Sequence, residues 1–193
     1  EEGIKVVGGL SVGGAVTIDA MLLAPELYDR TLVMVPFITT STEQHSWLPF
    51  VMDLLGIMPY SRNKRRGWGE ACEVLERNGG RAGTCHFTIR NIAGLQSYGK
   101  SLVKKAKKIR GNIQVVGVEK DPTVSNQKIL KWKNKLTNKG NQIDFCLYPT
   151  PANHSLLSRF DSPNEDKFWI EDVHDKVFEF IANNKPFPDG KCM

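Results

Sequence analysis

No apolar run in this chain is long enough to cross a bilayer. The longest, Trp47 to Tyr60, is broken by Asp53, Gly56 and two prolines, so it suits a buried or interfacial helix rather than a transmembrane one. Metal-ligand spacing is missing as well. The four cysteines include no C-x-x-C pair and no cysteine–histidine cluster, which argues against zinc, and no cofactor is expected. Internal repeats and low-complexity tracts are absent. So is any initiator methionine, signal peptide or apolar leader: the chain opens Glu1-Glu2-Gly3, and it is expected to be the C-terminal part of a longer protein.

The 193 residues, 40% of them apolar, suffice for one domain with a sizeable core. The net charge of +5 raises nucleic-acid binding as a candidate function. Much of the excess lies in Arg62–Arg66 and Lys100–Arg110. Within Ser101–Arg110, however, Leu102, Ala106 and Ile109 recur at helical spacing and the lysines occupy the remaining face. With no aromatics between those lysines to stack on bases, a solvated helix face is the better reading and no nucleic-acid partner is expected. Cys72 and Cys85 bracket a glycine-containing polar segment that could close as a disulfide loop, stabilising by about 3 kcal/mol and implying an extracytoplasmic, oxidising location. A pairing of Cys146 with Cys192 is left open.

Continuous apolar runs of the kind found in buried parallel strands occur at Thr31–Ile38, Ile113–Val118 and Ile143–Tyr148. Helical patterns lie between and after them. One spans Ser125–Lys139, with Ile129, Trp132 and Leu136 on one face; another spans Ile170–Asn183, with Val173, Val177, Phe178 and Ile181 expected inward. This alternation predicts an α/β fold with a mostly parallel sheet. Residues 39–100 form a connection without an obvious strand. It contains the apolar helix candidate Trp47–Leu55 and a return through Phe87, Ile89, Ile92 and Leu95, and reads as a cap that could line an acyl-chain pocket and touch a membrane peripherally.

The chemistry centres on Gly9-Leu10-Ser11-Val12-Gly13, between the apolar run Ile4–Val7 and a helix from Gly14 to Leu23. This G-x-S-x-G box has the strand–turn–helix setting that lifts a serine clear of a sheet. Side chains at Gly9 and Gly13 are expected to collide with backbone, while Gly14 and Ala15 allow close packing of the helix. Downstream, the strand Ile113–Val118 ends in Glu119-Lys120-Asp121, and the strand Ile143–Tyr148 leads to His154. Functional groups gather at the carboxyl ends of such strands. Asp121 is the favoured acid over Glu119, which stays an alternative; His154 is favoured over His45, His86 and His174 because it follows a terminal strand.

On these motifs the chain resembles the C-terminal two-thirds of an α/β-hydrolase, beginning at the nucleophile strand. The resemblance divides it into residues 1–38 (nucleophile strand, helix and next strand), 39–100 (cap or lid insertion) and 101–193 (the rest of the core, with the acid and histidine loops). It implies Ser11 as nucleophile, Asp121 as orienting acid, His154 as general base and the Val12 N–H as one oxyanion donor. The implied activity is cleavage of carboxylic or thioesters with an acyl-chain substrate. In this family the second oxyanion donor follows an earlier strand, so an upstream segment or companion chain is expected to complete the sheet. A non-catalytic interaction protein on the same scaffold is the alternative function.

Overall fold

The computed structural model describes residues 3–41, 47–61, 63–67, 86–105, 109, 111–121, 123–137, 142–149, 152, 154, 156–157 and 168–192. In chain order the elements are β1 (Val6–Leu10), α1 (Val12–Leu23), a short 3-10 turn (Pro25–Leu27), β2 (Arg30–Met34), α2 (Leu48–Ile57), β3 (Arg65–Gly67), β4 (His86–Thr88) and α3 (Ile89–Lys105). They continue with β5 (Asn112–Val118), α4 (Asn126–Thr137), β6 (Gln142–Tyr148), α5 (Phe168–Asn183) and β7 (Gly190–Lys191). Five strands form one parallel sheet in the order β1-β2-β5-β6-β7. Strand β5, the central one, is buried along almost its whole length, as its run of Ile, Val and Gly requires of a strand covered on both faces.

The helices seat themselves by their apolar stripes. On α4, Ile129, Trp132 and Leu136 are fully buried, as their spacing predicts. Leu102 and Ile109 are buried likewise. Helix α5 differs from expectation: Trp169, Ile170, Val173 and Phe180 are buried, whereas Phe178 is 66% exposed and Ile181 also faces solvent. At ~100° per residue Phe178 stands roughly 140° from Val173, and the stripe that meets the sheet runs through Phe180 instead.

Two strands are shifted from their apolar runs. β1 is Val6–Leu10 rather than the run Ile4–Val7, so Gly8 and Gly9 belong to the strand and Ser11 follows directly on its end. β2 stops at Met34, because Val35 adopts a left-handed φ of 38° and Pro36 has no N–H to give a ladder. The segment 39–100, expected to lack strands, contains the antiparallel pair β3 and β4.

Strand β7 was not foreseen. It pairs with β6, and Cys192 beside it is disulfide-bonded to Cys146 with their Cα atoms 5.1 Å apart. Cys72 and Cys85 lie outside the described residues. Among those described, β1 has a strand neighbour on one side only, and no helix is long and apolar enough to cross a membrane.

Candidate active site

Ser11 occupies the single residue between β1 and α1, with φ 57° and ψ −118°. A non-glycine residue held there costs on the order of 1–3 kcal/mol and persists only when its surroundings fix it. Three backbone hydrogen bonds do so. The Ser11 N–H donates to Met34 O at 2.9 Å, and its carbonyl accepts from Phe37 N at 2.9 Å and Ala15 N at 3.2 Å. The turn is therefore clamped to the strand end of β2 and to its own helix.

The glycines around it divide by function. A Cβ on Gly9 would press into the Gly13 carbonyl and lie 2.7 Å from Thr17 Oγ1, so glycine is required there. Gly14 lies close to the Met34 and Gly9 carbonyls and to Pro36, letting α1 approach the sheet. Gly13 corrects the sequence reading: nothing lies within 4 Å of a Cβ at that position, because the second helical residue already points to solvent.

The structure brings Ser11, His154 and Asp121 together. His154 Nε2 is 2.7 Å from Ser11 Oγ, and Nδ1 is 2.8 Å from Asp121 Oδ2. A carboxylate only accepts hydrogen bonds, so Nδ1–H donates to Asp121 and the neutral ring's Nε2 accepts from the serine hydroxyl. Asp121 is fully buried, and its other oxygen accepts from Thr123 N at 2.7 Å and Val124 N at 3.1 Å. These amides orient the carboxyl group. The left-handed turn at Lys120, φ 53°, carries the chain from the end of β5 into that position. Glu119 instead continues the ladder, its N–H donating to Tyr148 O at 2.8 Å.

The other histidines are elsewhere. His174 is exposed on α5, its Nε2 3.3 Å from Leu157 O, and His86 is exposed on β4. His45 is outside the described residues. Val12 opens α1, so its N–H is among the first-turn amides without an acceptor inside the helix, and no acidic residue in that turn offsets the positive end of the helix dipole. An anion forming beside Ser11 would meet this amide.

Sequence reasoning missed a network that ties the acid loop to residues 39–100. The side chain of Gln96, buried on α3, accepts from Thr39 Oγ1 at 3.0 Å and Thr40 Oγ1 at 2.9 Å, and donates to Asp53 of α2 at 3.2 Å. Thr40 in turn bridges Val124, and Ser125 N donates to Thr39 O at 3.1 Å. A glutamine among ordinary helix residues carries no sign of such a role. The apolar side chains Phe50, Leu54 and Ile57 of α2 are exposed rather than turned toward a pocket shared with Ser11.

No family model matches the chain, and no curated protein does. Solved structures do. It is similar to the monoacylglycerol lipase of Paleococcus ferrophilus, with TM-score 0.66 and 15% identity over 94% of this chain and 70% of that one. It is similar also to a soluble variant of monoglyceride lipase from Saccharomyces cerevisiae in complex with a substrate analog, with TM-score 0.67 and 15% identity over 92% of this chain and 61% of that one. For the peroxisomal α/β-hydrolase Lpx1 of Saccharomyces cerevisiae the values are TM-score 0.54 and 14% identity, covering 95% and 54%. The chain thus spans a little over half to about two-thirds of these proteins, and its fold is that of an α/β-hydrolase.

Proposed function

From an α/β-hydrolase fold as premise, we propose that this chain is a serine hydrolase acting on carboxylic or thioesters of an acyl chain. The observation that carries the reading is the continuous hydrogen-bonded line Ser11–His154–Asp121, at 2.7 and 2.8 Å, with its serine on a strained turn. In the first half-reaction Ser11 Oγ passes its proton to His154 Nε2 and attacks the ester carbonyl. The oxyanion takes the Val12 N–H, and Asp121 stabilises the imidazolium through Nδ1. His154 then returns the proton to the departing alcohol or thiol, leaving an acyl-Ser11 ester. Water, deprotonated by the same nitrogen, attacks this ester; the acyl–Oγ bond breaks, His154 Nε2 returns the proton to Ser11 Oγ, and the acid is released.

Two of the structurally similar proteins are monoacylglycerol or monoglyceride lipases, which supports a lipid-ester substrate. Residues 39–100, tied to the acid loop through Gln96, act as the cap. A further segment or companion chain pairs with the open edge of β1 and supplies a second oxyanion donor, worth roughly 3 kcal/mol in such sites. The Cys146–Cys192 disulfide favours an extracytoplasmic location.

Labelling with a fluorophosphonate tests the chemistry. Wild-type protein is expected to label, Ser11→Ala to be silent, and His154→Ala to lose at least ~10³-fold in rate. The edge of β1 that has no strand neighbour among the described residues favours a second reading, a non-catalytic scaffold that uses this edge for interaction. A folded wild-type chain that neither labels nor releases acid from a graded series of acyl esters would support that reading and remove the first.

A further inference from the structure

Helix α2 carries three of its apolar side chains away from the protein. Phe50, Leu54 and Ile57 form one helical stripe and are 69%, 49% and 78% exposed. Trp47 before it and Met58 and Tyr60 beyond it are exposed too. The opposite side of the helix does the packing, where a Cβ on Gly56 would run into the Ala93 methyl of α3. A contiguous apolar surface of this kind marks an interaction site rather than ordinary surface scatter.

Beside the stripe, and sharing Phe50 with it, lies a cavity of about 520 Å³. Two helices line it with lysine. Lys100 and Lys104 come from α3, and Lys128, Lys131 and Lys135 from α4, each set at the spacing that places it on one helix face. Among the described residues Asp53 is the one carboxylate in the lining, and it is paired with Lys100. Ser11, Asp121 and His154 are not part of this wall. The two lysine rows give the cleft a positive charge that an anionic occupant would complement.

We propose that this combined face docks on an anionic lipid bilayer, with α2 lying in the interfacial plane and the lysine cleft taking the negatively charged headgroups. The two halves select this partner together. A nucleic acid satisfies the lysines but offers nothing to Leu54 and Ile57. A second copy of the chain would cover the stripe while setting lysine against lysine. A bilayer surface provides acyl chains for the stripe, an interfacial level for Trp47 and Tyr60, and phosphate and carboxylate for the cleft. The proposal goes beyond the hydrolase reading and stands without it, because docking needs no turnover.

The test is co-flotation of the full chain carrying Ser11→Ala, so that vesicles stay intact, with phosphatidylcholine vesicles that contain or lack phosphatidylserine. Binding is expected only with phosphatidylserine present, and it should weaken as salt is raised. K128Q/K131Q/K135Q should lower the partition coefficient roughly a hundredfold, since each lysine near an anionic surface is worth about a factor of five. F50S/I57S should lower it on the same vesicles without altering the circular dichroism of the protein. Equal binding to both kinds of vesicle, an unchanged partition in the lysine variant, or capture of a nucleic acid or a second copy without vesicle flotation would overturn the proposal.

Discussion

Ser11 is held in its strained turn by groups that have no side-chain identity: the carbonyl of Met34, the amides of Ala15 and Phe37, and the missing Cβ of Gly9. Replacing Gly9 should therefore damage the turn directly. Gly9→Ala is expected to destabilise the fold by about 3 kcal/mol, because its methyl meets backbone rather than a yielding side chain. Gly13→Ala should do the reverse, adding up to ~1 kcal/mol, since the position is open and helical. Urea unfolding of the two variants checks both signs. That Ser11, Asp121 and His154 meet in space could be anticipated from the sequence, whereas the exact part of each glycine could not. Ser11, Asp121 and His154 have distinctive chemistry and follow strand ends in order, whereas the amides of Thr123 and Val124 that fix Asp121 belong to residues of any type.

Long apolar patterns make strands and helices legible in the sequence, though not always their bounds or phase, and short elements are not legible. β5 and α4 declare themselves through runs and stripes that only burial explains. β7 is Gly190-Lys191, without an apolar pattern, and exists because its neighbours hold it. Cys192 N donates to Leu147 O at 3.1 Å, and Asp189 bonds Lys133 and the Phe145 N–H, with Lys133 holding its carboxyl below the usual range. The Cys146–Cys192 bridge, spanning 46 residues, should supply about 4 kcal/mol in the loop-entropy picture. C146S/C192S is expected to lower the urea midpoint accordingly and to speed hydrogen exchange at the Cys192 amide. The exposed Phe178 belongs to this scale as well. A helix of mixed pattern tells that one face is buried, while the phase of that face is decided by where the sheet lies.

Across the whole molecule, burial also sets how stability responds to alkali. The Tyr148 phenol is fully buried and donates to Asp172 at 2.7 Å, and burial first, then Asp172, pushes its pKa far above the ordinary phenol value. Burial and then Asp19 push Tyr98 up to about 12. Both groups have folded values above their unfolded ones, so their contribution is complete below about pH 10 and declines as pH rises beyond it. While Tyr148 stays neutral in the folded state, stability should fall by roughly 1.4 kcal/mol per pH unit from that group. Denaturant titrations above pH 10 should show this slope, and Tyr148→Phe should flatten it.

Ser11 Oγ and the ring of His154 are separated by 143 residues of chain. During synthesis at about 5–20 residues per second, the serine thus leaves the ribosome on the order of ten seconds before the imidazole that would activate it. On the proposed hydrolase reading, a nascent or truncated chain ending before β6 would hold Ser11 without its base. On that reading reactivity would arrive late, after β6 has been made and before β7 joins the sheet.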